Sequence, residues 1–367
     1  MKVAGIIAEY NPMHTGHIYQ LSQADADAKV IVMSGNFVQR GEPALYDKWQ
    51  RAEIAVKNGA DLVLELPVSF AVASAERFAF GGVSVLDRLG IISHLVFGAE
   101  SPLSDLQSAA SKLSGDAFEA YMQKNATGEK SYHEIRNELV EPDLLKGSNN
   151  ILGIEYLKAL QKLNSSVTPE VILRKGANYN EQAPKDGFAS ASYIRSALLK
   201  GADCSAFLPY ALPQTKLVTA EDMFPYLKYK LLTENIADIA EIREGIENRI
   251  KECALTADSF SDLLNKIKTK RYTRTAISRM LTLAFLGIEK KNLSEAPQYT
   301  RVLAANNLGC ELLGTMRKSA TIPIVTKGAD APDCEDAKLD FKAGDLYALL
   351  SDAPSSTDYL KHPYIQK

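Results

Sequence analysis

His14-Thr15-Gly16-His17 places two of the chain's five histidines three residues apart, with a glycine between them. Imidazoles at that spacing near a helix start lie on one face, where both can donate to one phosphate. Unpaired backbone N–H groups and the positive end of the helix dipole favour an anion there too. Gly16 would let a flat base or a phosphate approach the backbone. A metal is the other reading of two close histidines, but no third ligand accompanies them at a suitable spacing. The chemistry they suggest is phosphate binding at a nucleotide site, without zinc.

Such a site needs a strand, a tight loop and a helix start to carry it. Val3-Ala4-Gly5-Ile6-Ile7-Ala8 is a short apolar run that reads as a buried parallel strand. Asn11-Pro12 breaks the run, and Ile18-Tyr19-Gln20-Leu21 resumes at helical spacing. The alternation continues to about Lys200. It predicts strands at Val3–Ala8, Lys29–Ser34, Asp61–Leu66, His94–Gly98 and Glu170–Arg174, with helices at Gly16–Ala26, Asp47–Asn58, Ala73–Leu89, Asn150–Leu163 and Ala191–Lys200. This is an α/β pattern: a Rossmann-like parallel sheet, helices on both faces, and a ligand at the carboxyl ends of the strands.

Three more segments open on that edge. The loop from Met33 to Pro43 follows an apolar strand and carries Arg40 between Gly35 and Gly41. Arg174-Lys175 ends a strand, where a cation would face phosphates or simply stand in solvent at the strand's end. Ala189-Ser190-Ala191-Ser192-Tyr193-Ile194-Arg195 opens a helix, with Ser190 and Ser192 as caps. Arg195, one turn in, supplies the fixed positive charge that a leaving pyrophosphate needs. Ser148 or Asn149 would cap the helix that follows them.

These motifs resemble known ones. His14-Thr15-Gly16-His17 resembles the HxGH signature of the adenylyl-transferring superfamily, which includes small-molecule adenylyltransferases and class I aminoacyl-tRNA synthetases. Residues 189–195 are similar to its second signature, ISSTxIR, about 180 residues further on. The longer strings EYNPxHxGH at residues 9–17 and SGxFxQRGEP at residues 34–43 are narrower, and resemble the bacterial tRNA(Met) cytidine acetate ligase family. Residues 60–67 follow its DLVxELP strand. Residues 95–100 follow its FGSE, with Ala99 for serine, and residues 148–156 its PNNILGxxY, with Ser148 for proline.

The resemblance implies a nucleotidyltransferase domain that uses ATP, with Mg2+, to activate acetate as acetyl-adenylate. The acetyl group then goes to N4 of the wobble cytidine of elongator tRNA(Met), giving ac4C34. His14, His17 and Arg195 are implied as catalytic. ATP is implied to lie on Ile7, Ala8, Glu9, Tyr10, Asn11, Pro12, Gly16, Gly98, Asn149, Arg174, Lys175, Ser190 and Ser192. ATP is a substrate, and no bound metal or organic cofactor is implied.

After Gly201 the strand signal stops. Ala202–Leu208 reads as a short helix. Ala220 to Gly287 reads as helical, with Leu227, Leu231, Ile236, Ile277, Leu281 and Phe285 as core stripes. The expected organisation is residues 1–200 for ATP and acetate, with a helical insertion at about 101–147, and a mainly α-helical domain over 201–367. In the insertion, Leu103, Leu106, Ala110 and Leu113 have helical spacing, while Tyr121, Tyr132 and His133 have no evident partner. Lys266-Ile267-Lys268-Thr269-Lys270-Arg271-Tyr272-Thr273-Arg274 is a basic cluster with one aromatic. Lysines and arginines there could hold RNA phosphates, with Tyr272 as a stacking platform; a solvated helix face is the plainer alternative. The family string KRYTxxRxxR is close to this stretch and implies Lys268, Lys270, Arg271, Tyr272, Arg274 and Arg279 as tRNA contacts, though Ala276 replaces one arginine. Arg301-Val302-Leu303-Ala304-Ala305-Asn306 resembles the family's RVLGFN, and the tail after Lys327 offers no pattern.

At 367 residues, two domains are expected. A net charge of −3 and a pI near 6.0 give no global pull toward nucleic acid, so RNA contact must be local. The four cysteines show no CxxC pairing, so neither zinc nor a disulfide framework is indicated. Met1-Lys2 leads into a strand without a signal-like segment, and no apolar run approaches a membrane span. A cytoplasmic protein without membrane contact is expected. Two other functions fit parts of the chain. An adenylyltransferase making a nucleotide cofactor would leave the helical half unexplained. An RNA-binding protein with a degenerate nucleotide site would not need His14, Gly16, His17 and Arg195 intact.

Overall fold

A computed structural model describes residues 1–125, 136, 138–174, 187–269 and 271–367. Tyr132, His133, Lys175 and Lys270 lie outside the described residues. The main sheet has strands β1 (Val3–Ala8), β2 (Ala28–Ser34), β5 (Leu62–Leu66), β6 (His94–Ala99), β7 (Thr168–Leu173), β8 (Thr300–Ala305), β9 (Ile324–Val325) and β10 (Tyr364–Ile365). Its order is β10-β8-β5-β2-β1-β6-β7, with β9 beside β8. The short β3 (Phe37–Val38) and β4 (Glu42–Pro43) form a separate antiparallel hairpin.

β1 sits between β2 and β6 and runs parallel to both. The chain moves outward from β1 through β2 to β5, then returns to lay β6 on the other side. The strand order therefore reverses at β1 and β6, and a crevice opens beyond their carboxyl ends, as in other open α/β sheets. Both faces of the central strands are covered, which their near-continuous apolar sequence requires. Val3, Val30, Val32, Leu64 and Phe97 pack on one side, and Ile6, Ile31, Met33, Val63 and Val96 on the other.

Strands do not end near residue 200. β8 pairs antiparallel with β5, Leu62 opposite Ala305, and β10 runs parallel to β8. β8 reads as TRVLAA and is wholly buried; alanines are weak strand formers, so its pairing with β5 decides its state. Arg301 in that strand is 1 % exposed and donates to the carbonyls of Asp358 and Lys361, tying the chain's tail to the sheet. Asp358 in turn accepts from Lys48 and Trp49, and Lys48 also meets Glu65 at 2.7 Å. Ala202–Leu208 forms turns instead of a helix, with Cys204 and Leu208 buried.

The stretch after Ala220 is helical: Ala220–Thr233, Ile246–Thr256, Phe260–Ile267 and Arg274–Leu286. Leu227, Leu231, Ile236, Ile277, Leu281 and Phe285 all enter one buried cluster. In the insertion, Leu103–Lys112 and Gly115–Asn125 are helices, and Leu106, Ala110 and Leu113 face the sheet's core. All four cysteines are unpaired. Among the described residues no helix is long and apolar enough to cross a membrane.

Candidate active site

His14 and His17 are the cap of the helix that follows β1. The helix covers Thr15–Gln23, with His14 as its N-cap in extended conformation. His14 Nδ1 accepts from the Gly16 N–H at 3.1 Å, and His17 Nδ1 accepts from the His14 N–H at 3.3 Å. Serine or threonine followed by glutamate usually makes this reciprocal capping pattern; here two imidazoles make it. The rings stack with centroids 3.8 Å apart. Each Nδ1 is an acceptor, so the proton of the neutral ring belongs on Nε2, away from the backbone. Burial, then the charges of Arg174 and Arg195, push His14 down to about 3. Burial, then His14 and Arg174, hold His17 well below its ordinary value. The pair offers two neutral Nε2–H donors at a helix N-terminus.

Gly16 has a different reason from the expected one. A Cβ there would lie 2.9–3.0 Å from the His14 ring, so the glycine makes room for the capping imidazole. Gly98, at the end of β6, is the opposite case. A Cβ there would find only Arg174 Cγ at 3.7 Å and the Ile172 carbonyl at 3.8 Å. Among the described residues nothing requires that glycine, and the space before it opens into the cleft.

The cleft is lined by His14, Gly16, His17, Tyr19, Gln20, Gly98, Ile172, Arg174, Phe188 and Ala189. It stands where the strand order reverses. Thr15 N–H donates to the Phe207 carbonyl at 2.9 Å, and the Tyr19 and Phe188 rings meet edge to face at 5.9 Å, closing the segment around residue 188 over the loop. Tyr19, Gln20 and Phe188 carry no motif, and the sequence did not single them out. Ser190 caps the next helix as expected, accepting from the Tyr193 N–H at 3.2 Å.

The rest of the loop is support. Tyr10 has a left-handed φ of 47° and is 1 % exposed, its ring edge-on to His17 at 5.1 Å. Asn11 and Pro12 are buried, and the Asn11 side chain accepts from the Leu45 N–H at 2.9 Å. Ile7 and Ala8 form the half-buried end of β1. Arg51 holds this turn from below: wholly buried, it donates to the carbonyls of Glu9, Ser34, Gly35 and Tyr46. A guanidinium with five donors in a fixed fork can bind several loops at once, and no sequence pattern marked it.

Arg195 lies on the far side of the loop. It donates to the Asn11 carbonyl at 3.0 Å and to Ser192 Oγ at 3.4 Å, and meets Glu42 at 3.1 Å. Glu9 accepts from the Gln39 N–H at 2.7 Å. Burial raises the Glu9 carboxyl above its usual value, against that hydrogen bond and the charges of Arg40 and Arg195. Glu9, Arg40, Glu42 and Arg195 thus form a charged cluster beside the cleft. Asn149 is placed differently: its amide donates to Glu100 at 2.7 Å. The helix Ser148–Lys162 has no side-chain cap from Ser148 or Asn149; Glu100 accepts the Asn150 N–H from outside it. A carboxylate serves a helix start better than a hydroxyl because it also meets the dipole.

The basic cluster lies on the helical part. Lys268, Arg271 and Arg274 are exposed. Lys268 Nζ rests on the carbonyls of Thr269 and Tyr272, and Arg274 donates to Asn265 at 2.6 Å. Tyr272 is half-buried against the helical core, with Arg271 5.8 Å over its ring. Arg279 stands apart, paired with Glu241 at 2.9 Å and 12 % exposed.

The family described as HIGH Nucleotidyl Transferase matches residues 1–361. A tRNA(Met) cytidine acetate ligase of Clostridium novyi (strain NT) is 38% identical over 98% of this chain and 100% of that protein. A second, from Acetivibrio thermocellus, is 36% identical over 97% of this chain and 96% of its own length. The chain belongs to the tRNA(Met) cytidine acetate ligase family. The crystal structure of apo Thermotoga maritima TmcAL superposes with a TM-score of 0.91 at 32% identity, over 100% of this chain and 99% of that one. TmcAL bound with alpha-thio ATP gives 0.89 at the same identity and coverage. Membership in the ligase family covers both halves, so the helices after residue 220 belong to the same enzyme as the histidine pair.

Proposed function

We propose that the chain is an ATP-dependent acetate ligase that forms acetyl-adenylate and acetylates N4 of the wobble cytidine of elongator tRNA(Met). The observation that carries the reading is the pair of neutral imidazoles, both Nε2–H groups directed off a helix N-terminus at the strand-order switch. A carboxylate oxygen of acetate attacks the α-phosphorus of ATP, and pyrophosphate leaves. The cytidine N4 then attacks the acyl carbon, AMP departs with the electron pair of the broken C–O bond, and the nitrogen loses a proton.

In the first step His14 and His17 donate to α-phosphate oxygens as their charge grows. Each such donor contributes about 3 kcal/mol, or two orders of magnitude in rate. Neutral donors suit a site that Arg174 and Arg195 already make positive. Arg195 is assigned to the leaving pyrophosphate, its guanidinium held in place by Glu42 and the Asn11 carbonyl. Gly98 leaves room for the nucleotide's flat part, and Ser190, Ser192, Arg174 and Lys175 are assigned to its phosphates. Among the described residues no three His, Cys, Asp or Glu side chains converge as a metal site. Mg2+ is assigned to ATP's own phosphates, as nucleotide-bound Mg2+ commonly is.

Lys268, Lys270, Arg271 and Arg274 are assigned to tRNA phosphates, with Tyr272 partly available for stacking. The chain works in the cytoplasm on this reading, where its tRNA is.

The test is acetate-dependent exchange of labelled pyrophosphate into ATP by purified protein. Exchange on adding acetate is expected. Exchange supported by nicotinamide mononucleotide or phosphopantetheine, and not by acetate, would overturn the ligase reading.

A further inference from the structure

The β3–β4 hairpin is gripped from two sides. On the nucleotide side it supplies the Gln39 N–H to Glu9 at 2.7 Å and the Glu42 carboxylate to Arg195 at 3.1 Å. On the other side its tip, Gly41, lies on helix Arg274–Leu286. The Gly41 carbonyl accepts from Ser278 Oγ and from Thr282 Oγ1, each at 2.7 Å. Both hydroxyls are buried, Thr282 completely.

Four features set this contact apart from ordinary packing. Ser278 and Thr282 are four apart, so they rise from one face of the helix. A mid-helix serine or threonine usually returns its hydroxyl to the carbonyl one turn earlier; here both leave the helix for one outside acceptor. A carbonyl has two lone pairs, and filling both fixes its direction as well as its distance. The backbones also meet with nothing between them: a Cβ on Gly41, whose φ is 77°, would fall 2.3–2.5 Å from the Ser278 and Arg279 backbone. The neighbours Ile277, Met280, Leu281, Leu283 and Phe285 are apolar and buried, so the two hydroxyls are the polar exception on that helix interior.

We infer that Ser278 and Thr282 are positioning residues for adenylate formation. By fixing Gly41 they fix Glu42, and through Glu42 the guanidinium of Arg195; through Gln39 they fix Glu9. Neither hydroxyl needs to touch a substrate. The same helix is capped by Thr273 and starts at Arg274, the end of the basic segment, so one rigid element also sets the distance from the proposed tRNA contacts to the ATP loop. The inference rests on the ligase reading, and wild-type exchange with acetate tests that reading separately.

The experiment compares wild type with Thr282→Val, the Ser278→Ala/Thr282→Val double variant and the hydroxyl-retaining Thr282→Ser. Acetate-dependent ATP–pyrophosphate exchange is measured at a temperature where circular dichroism shows each variant folded. The double variant is expected to lose at least about fivefold in kcat with KM for ATP within about twofold, while Thr282→Ser keeps wild-type kcat. A contact that only stabilises the fold would lower the melting temperature and leave kcat of the folded protein in place. A kcat loss below that threshold in the folded double variant overturns the inference, as does a Thr282→Ser loss equal to that of Thr282→Val. Should the double variant fail to fold, Thr282→Val alone is judged by the same threshold.

Discussion

On the proposed function, the histidine pair and the basic segment would handle negative charge in opposite ways. His14 is 6 % exposed, both rings are locked by hydrogen bonds from the backbone, and both stay neutral. Lys268, Arg271 and Arg274 are exposed basic side chains, held by a few backbone and amide contacts. The difference follows from the task. A donor that must meet charge developing at one phosphorus works best when a dry site already holds it in the right orientation. A cation that meets the phosphates of a large, mobile RNA gains from long-range attraction and tolerates loose geometry.

The sharpest way to break the comparison is His17→Ala. Acetate-dependent exchange should fall by about two orders of magnitude or more, with tRNA affinity unchanged. A parallel loss of tRNA binding would mean the two regions are not separate. Next in size is replacement of Lys268, Lys270 and Arg271 by alanine. The dissociation constant for tRNA(Met) should rise by about tenfold, and the slope of log K against log salt should flatten by about two. Exchange needs no tRNA and should hold near wild type. An unchanged salt slope would mark the cluster as a solvated face.

A smaller effect is expected from Gly98→Ala. The protein has room for the methyl group at 3.7 Å, so the melting temperature should stay within a few degrees, while KM for ATP rises by about threefold or more as the methyl enters the cleft. Unchanged KM would place the nucleotide elsewhere.

The smallest effect concerns pH. Both histidines titrate far below neutrality, so exchange should show no histidine inflection between about pH 6 and 8. Stability carries the complementary sign. A histidine with a lowered folded pKa makes the unfolded chain bind more protons below about pH 6.5, so stability falls as pH drops from there toward about 3. Thermal melts from pH 7 to 5 should decline more steeply for wild type than for His14→Asn, which keeps a capping acceptor without the titrating ring. Equal slopes would show that His14 is not held neutral by the fold.

Legibility differed sharply along the chain. Strands β1, β2, β5, β6 and β7 and their helices were readable to within three residues, because apolar runs and periodic helices are local signals. β8 was not, because its state comes from pairing with β5. The helix core stripes were readable, as amphipathic spacing is local too. Ala202–Leu208 failed because its apolar residues serve tertiary contacts in turns. Arg279 shows what spacing leaves out: the fold pairs it with Glu241, far from it in sequence.

By itself the sequence supplied the candidate site's residues and the family: two histidines, a following helix, an arginine at a second helix start, and strings specific enough to indicate the ligase family. These are properties of residue type and spacing. Only the tertiary structure decided the protonation of those histidines, since burial and the charges of Arg174 and Arg195 come from distant segments. It also decided why Gly16 and Gly98 are glycines, one for an imidazole and one for the cleft. The chain's tail through Asp358, the guanidinium of Arg51 under the loop and the two hydroxyls on Gly41 likewise appeared only on folding. Each depends on a partner remote in sequence, and a spacing pattern records only near neighbours.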